Sequence, residues 1–535
     1  MKKLKLQFYL LILVTLLSSY GCQKEDINSL DPSNFNETKI MGSDKEPKEK
    51  KVLGKKLLNP YSVKNMKKAY KNLKTKGDKV ADLKIAATHL YVRFLPSDST
   101  DLSTLINAAI ELFDYPLDYE IKEEGLIYHD PNIPEENPTW QYAVVPIDFK
   151  FPDMQFEVLE ECFITDNTLS PDPAEAQLMD LLEFEAYKLT GNIESDVNYN
   201  DLTRGTPKGK IQVYNNSTIN GVLVGLEGVK KVKVRVNNFV KWDSRYTDEN
   251  GNYSMGKNFL TNVHYALIFE NETGFKIWGN WAFLAPANYG MDWHSSSGHS
   301  MDIYTNSVSW LWATVNNGTY HYREKLCPKY GVYKPASGLR IWTYRTGGEW
   351  SGSAPMAKQI SMGGTTLIDF LYALGVTAGT WYMSLCLPDV FILQDYTNTR
   401  NAYNTLFHEL SHASHYSKVG SWYWINYISG ITNNGGYGDG SGNQDGYIGV
   451  GEMWGNYFGY ICTKDYFGSA GFDDFENWYN PGILRRLSET YGFSPYKIFN
   501  CLTSDVTSHY KLKDKIKSNY GQTTQVNEAF YYFGF

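Results

Sequence analysis

Three histidines and a glutamate fall within one short stretch of this chain, His408-Glu409-Leu410-Ser411-His412-Ala413-Ser414-His415. In a helix, His408 and His412 lie one turn apart on one face, so both imidazoles can bind a single ion. Glu409 between them is placed to take a proton from a water beside that ion. At ~100° per residue, His408, His412 and His415 span an arc of ~60°. Tyr403, Leu406, Leu410 and Ala413 occupy the opposite face, which predicts a helix with one side in a core and the other on a cleft. Asn398 or Thr399 can cap its start, and Gly420 can end it. Just upstream, residues 390 to 393 read as a buried strand. A strand there suits a peptidase that aligns its substrate along a sheet edge.

A third ligand must come from elsewhere. The Cα of His415 is ~10 Å from that of His408 at 1.5 Å rise per residue, and three ligands from one helix give poor tetrahedral angles. His415 is therefore read as a cleft residue or a neighbour that orients a ligand. The metzincin arrangement needs a histidine where this chain has Lys418. Glu452, in Gly451-Glu452-Met453-Trp454-Gly455-Asn456-Tyr457, fits better. Gly451, Gly455 and Gly459 recur every four residues and make a helix side without bulk, where a second helix can approach closely. Asn456, one turn beyond Glu452, is placed to hydrogen-bond a ligand. A rival use of Glu452 is calcium: Ser441 to Glu452 falls in the register of an EF-hand loop, although Ser441 stands where an aspartate is usual. The many glycines from Gly430 to Gly451 also suggest a loop bordering the cleft.

The set His408, Glu409, His412 and Glu452 resembles the gluzincin zinc peptidases. The resemblance implies one Zn2+ ion held by His408, His412 and Glu452, with Glu409 as general base. Such enzymes add a Tyr or His that stabilises the oxyanion, and His509, Tyr510 and Tyr491 are the downstream candidates.

The N-terminus reads as an export signal. Lys2, Lys3 and Lys5 precede an apolar run from Phe8 to Leu17, then Ser18, Ser19, Tyr20, Gly21 and Cys22. The run is too short to span a bilayer comfortably. Ser-Tyr-Gly-Cys resembles a relaxed lipobox, which implies acylation of Cys22, palmitate included, after removal of residues 1–21. The charged Gln23-Lys24-Glu25-Asp26 resembles a tag for export to the exterior of the outer membrane. The remaining five cysteines allow at most two bridges, and no CxxC pair offers a cysteine-based metal or redox site.

Composition is that of a globular chain: 535 residues, 42% hydrophobic and 21% charged, with a net charge of −8 that argues against nucleic-acid binding. The length predicts several folded units. Residues 22–80 read as a lysine-rich tether, in which Val63, Met66, Tyr70 and Leu73 carry helical spacing. Residues 81–200 read as a small α+β domain. It has strands at 90–95, 142–147 and 156–159, a helix after Asp101 carrying Leu102, Leu105, Ile106, Ala109 and Phe113, and a second helix opened by Asp172-Pro173. Residues 207–275 alternate as β-strands: Val232, Val234 and Val236 interleave with Lys231, Lys233 and Arg235. With Gly225 to Val229 and the turn Thr247 to Tyr253, this stretch resembles the transthyretin-like, carboxypeptidase regulatory-like β-sandwich. Asp248, Glu249 and Asn250 are read as a capped turn in preference to a calcium site. Residues 276–535 complete the expected fold class as a zincin-like α+β catalytic domain.

The expected function is a surface lipoprotein peptidase acting on extracellular protein or glycoprotein. The alternative is a non-catalytic lipoprotein that captures peptides or glycans; the 15% aromatic content, with 41 tyrosines, suits core packing first and a ring-lined groove second.

Overall fold

The computed structural model describes residues 48–75, 83–97, 99–134, 137–166, 172–202, 204–279, 286–343, 352–376, 386–394, 396–438, 442, 444–471 and 479–535. The export signal and Cys22 lie outside the described residues. The chain is multidomain, with mixed α and β content and several sheets.

The N-terminal unit is an antiparallel sheet of β1 (His89–Leu95), β2 (Leu112–Phe113), β3 (Gln141–Pro146) and β4 (Gln155–Cys162), in the order β2-β3-β1-β4. Helix α1 (Val63–Thr75) buries Met66, Ala69 and Leu73 against α2 (Pro173–Leu189), which contributes Leu178, Leu182 and Ala186 to the same core. The expected tether is thus corrected over residues 48–75. Its lysines sit on the outer face of a helix whose apolar stripe is buried, and the short strands Lys48–Lys50 and Val52–Lys56 pair with residues 119–127. Asp172 caps α2 by accepting from the Ala174 N–H, as its position before Pro173 predicts. The helix expected to reach Phe113 stops at Asn107. Ala109 takes a left-handed backbone (φ 54°), and Phe113 belongs to β2.

Two sheets follow. The smaller contains β5 (Lys208–Ile219), β6 (Val222–Gly228) and β9 (Asn252–Ser254), ordered β6-β5-β9, with β13 (Met301–Ile303) parallel to β5. The larger contains β7 (Val232–Asn238), β8 (Lys241–Tyr246), β10 (Val263–Asn271), β11 (Phe275–Trp278), β12 (Asn288–His294), β14 (Leu339–Thr343), β15 (Gly352–Ser353) and β16 (Val390–Ile392). Its order is β8-β7-β10-β11-β14-β16-β15, with β12 also on β10. Strand β11 pairs antiparallel with β10 and parallel with β14, so the boundary expected at 275–276 falls inside a continuous sheet. One hydrophobic core runs from Ile211 in β5 to Phe530 near the C-terminus. The turn at 248–252 is capped as expected: Asp248 accepts from the N–H groups of Asn250 and Asn252, while Glu249 binds Tyr320 and Lys325.

The two units are pinned together by buried charge. Lys241 on β8 and Glu183 on α2 meet at 3.1 Å with side chains 1% exposed, and Arg204 reaches the same carboxylate at 3.2 Å. Tyr61 donates a further hydrogen bond to Glu183. All five described cysteines, Cys162, Cys327, Cys386, Cys462 and Cys501, are buried free thiols.

Candidate metal centre

The motif helix α4 runs Thr399–Val419 between the predicted caps. Asn398 accepts from the N–H groups of Arg400 and Asn401, and Gly420 ends the helix at φ 81°. Tyr403, Leu406, Leu410 and Ala413 are all buried, and α3 (Val308–His321) packs against this face, with Gly318 opposite Leu406 and Tyr403. After Gly420 the chain turns directly into α5 (Ser421–Asn434), and α6 (Asp445–Phe467) returns alongside α4.

The glycine stripe performs the packing that its spacing predicts. A Cβ on Gly459 would lie 3.0 Å from the His408 backbone, and one on Gly455 would lie 2.7 Å from the His412 ring. One on Gly451 would lie 3.0 Å from the Tyr427 ring. Trp454, between these glycines, donates its indole N–H to the Ser411 carbonyl at 3.1 Å and ties the two helices together. The glycines from Gly430 to Gly451 do not form one long loop. Gly430 lies within α5, and Gly446, Gly449 and Gly451 lie within α6. Gly446 and Gly449 face residues 507 to 509 too closely for any side chain.

This approach brings Glu452 to the histidine pair. Nε2 of His408 and Nε2 of His412 are 3.0 Å apart, Glu452 Oε2 is 3.3 Å from the first, and Glu452 Oε1 is 3.4 Å from the second. Two donor atoms at ~2.0–2.1 Å from a tetrahedral ion are ~3.3 Å apart, and one ligand atom from each of the three residues lies within 4.8 Å of the others, close enough for a single ion. The polar balance fits as well. Glu452 is fully buried, its Oε2 has no hydrogen-bond donor, and two imidazole nitrogens converge on it. Lone pairs crowded in this way are relieved by a cation. Among the described residues this is the one histidine, cysteine and carboxylate group compact enough to hold a metal.

Neighbouring side chains fix the ligands. The Tyr427 hydroxyl on α5 donates to Glu452 Oε1, and its ring stacks on Trp424 at 4.7 Å. Burial opposes protonation of His408, but Glu452, Glu409 and the nearby Asn456 outweigh it and raise its pKa. His412 Nδ1 has no partner among the described residues, a departure from the usual carboxylate or carbonyl support. Burial opposes ionisation of Glu452, but the nearby His412 and His408 outweigh it and hold the carboxyl well below the ordinary range. Burial pushes Glu409 up to about 8, with the Glu452 charge adding to the effect and His408 opposing it. Glu409 sits under β15, the last strand of the larger sheet among the described residues: its Oε1 is 2.8 Å from where a Cβ on Gly352 would stand. Only glycine at 352 lets the strand pass that closely.

The remaining candidates lie elsewhere. His415 is completely buried against Tyr423 and Trp424, neither ring nitrogen has a partner, and burial pushes it down to about 3. It is a packed neutral imidazole. His509 stacks on Phe535 at 4.3 Å, Tyr510 packs on the same ring, and the Tyr491 hydroxyl donates to Glu528. Among the described residues, no hydrogen bond or ring contact joins these three to His408, His412 or Glu452. The EF-hand register is not realised either. Residues 445 to 452 are helical, and Asp445 is bound by Asn434 and the Gly442 N–H. Ser441 and Asn443 lie outside the described residues. Tyr427 and Gly352 were not singled out by sequence. Their one signal is weak: Tyr427 stands three residues after Trp424, a spacing that any packed helix shows.

The chain matches no family model, no curated protein and no solved structure.

Proposed function

We propose that the protein is a zinc-dependent peptidase of gluzincin type, whose motif helices share one hydrophobic core with the strands that precede them. The convergence of His408, His412 and Glu452 on one point, with Glu409 on the adjoining turn, carries the reading. A zinc ion at that point supplies Lewis-acid chemistry and activates water. The chain does the rest. Glu452 and the imidazoles hold the ion, and Tyr427 and Asn456 orient them. Glu409 accepts a proton on its carboxylate and returns it to the departing amine.

The substrate class is extracellular protein or glycoprotein, reached from an outer-membrane lipoprotein anchored through Cys22. No helix among the described residues is long and apolar enough to cross a membrane. The test pairs zinc content with hydrolysis of casein and gelatin by the wild type and by Glu409→Gln. The expected result is zinc in both proteins and cleavage only by the wild type; cleavage by zinc-loaded Glu409→Gln refutes the mechanism.

A further inference from the structure

The backbone that passes over Glu409 is held by few bonds of its own. Strand β15 pairs with β16 through two residues, Gly352 with Ile392 and Ser353 with Phe391. At Gly352 the strand lies so close to α4 that a Cβ would stand 2.8 Å from Glu409 Oε1 and 2.9 Å from Thr405 Cγ2. The chain next finds backbone partners at Met356 and Ala357, whose N–H groups donate to the Asp389 and Pro388 carbonyls. By itself, so short a ladder opens readily.

A side chain fills the gap between these attachments. Trp424 on α5 is fully buried, and its indole N–H donates to the Ala354 carbonyl at 2.9 Å. The N–H is the only polar group of the indole, so this bond fixes the ring and the strand against each other. The same ring faces the metal centre. Trp424 and Tyr427 are three residues apart on one side of α5 and stack at 4.7 Å, with their planes 23° apart. The Tyr427 hydroxyl donates to Glu452, and the His412 ring lies 6.1 Å from Trp424 and 5.9 Å from Tyr427. One face of α5 thus carries the hydroxyl that orients Glu452 beside the indole that holds the backbone over Glu409.

We propose that Trp424 is a positioning residue for the reaction: its N–H holds residues 352–354 over Glu409, and its stack on Tyr427 keeps them in fixed relation to Glu452. The catalytic role rests on the peptidase reading; the fastening does not. The two contacts can be removed separately. Trp424→Phe keeps an aromatic ring beside Tyr427 and leaves the Ala354 carbonyl without its donor, whereas Trp424→Leu removes both.

The experiment compares the full zinc-loaded chains by hydrogen exchange with mass spectrometry, by zinc release to a chelator, and by kcat and KM for casein. In Trp424→Phe the amides of residues 352–357 should exchange about tenfold faster while those of α4 stay unchanged. Zinc release and KM should stay within about twofold, and kcat should fall about tenfold. Trp424→Leu should in addition release zinc about tenfold faster. Benzothienylalanine at position 424, with sulfur in place of the N–H and a ring system of the same shape, should reproduce the phenylalanine result, and it decides the matter if the smaller ring unfolds the chain. Unchanged exchange at 352–357 overturns the fastening. Faster exchange there with unchanged kcat, or with every region loosened equally, overturns the positioning role. A wild type that binds no zinc refutes the peptidase reading and the positioning role with it, while the exchange result still decides the fastening.

Discussion

Replacing Gly455 by alanine separates the metal centre from the fold around it. A Cβ there would stand 2.7 Å from Cε1 and 2.8 Å from Nε2 of His412, and 3.1 Å from Cε1 of His408. Comfortable carbon contacts begin near ~3.5 Å, so the His412 ring must retreat by about 0.8 Å. Zinc sites tolerate only about 0.2 Å in ligand position, and the displaced atom is the ligand nitrogen itself. Loss of zinc affinity by about a hundredfold or more is expected, or about 3 kcal/mol at 1.4 kcal/mol per tenfold. Helix propensity moves the other way, since alanine in a helix interior is favoured over glycine by about 1 kcal/mol. The metal-free variant should therefore melt no more than a few degrees from the wild type. Competition with a chromophoric chelator measures the affinity, and melting with and without chelator measures the fold. Wild-type affinity in Gly455→Ala would refute the packing argument, because no ligand could then be as close to that glycine as the coordinates place it.

Tyr427→Phe removes the hydroxyl that donates to Glu452 Oε1, so zinc should dissociate about 10- to 100-fold more readily in a chelator chase, with circular dichroism unchanged. His415→Leu deletes an imidazole that satisfies neither nitrogen; zinc content should stay the same and the melting temperature should hold or rise, whereas loss of zinc would make His415 a ligand after all. Lys241→Met leaves Glu183 facing Arg204 alone across the unit boundary and should cost about 3 kcal/mol in urea unfolding. For acid stability, burial would raise Glu270, but Lys233, Lys276 and the Tyr246 hydroxyl outweigh it and hold the carboxyl at about 2. A depressed carboxyl stabilises the fold above its unfolded value near 4.5 and loses that contribution as pH falls towards 2. The wild type should therefore lose about 2–3 kcal/mol more than Glu270→Gln across that interval, and equal losses would show that the pair of lysines does not hold the charge.

The candidate ligand cluster was legible in the sequence because each of its parts depends on a short-range rule. His408 and His412 share a helix face by a four-residue spacing, and the Gly451–Gly455–Gly459 stripe marks the face that must approach them. Asn398 and Gly420 gave the ends of α4 for the same reason, since capping is local. What escaped depends on distant contacts. Tyr427 matters only because α5 folds back onto α6, and Gly352 only because β15 crosses above Glu409. Glycines at 446 and 449 look like loop residues until Thr507 and His509 are seen against them. The boundary expected at 275–276 is not realised because β11 hydrogen-bonds both neighbours, and pairing across a sheet leaves no mark in the strand itself. The helical spacing of α1 was read, but its lysines concealed that Met66, Ala69 and Leu73 are buried against a neighbour.

Elemental analysis of the purified chain beside Glu452→Ala tests the central claim most directly. One zinc per wild-type chain, absent after the same dialysis of a folded Glu452→Ala, is the predicted result. A wild type that takes up no zinc, or an alanine variant that keeps it, would contradict the three-residue centre.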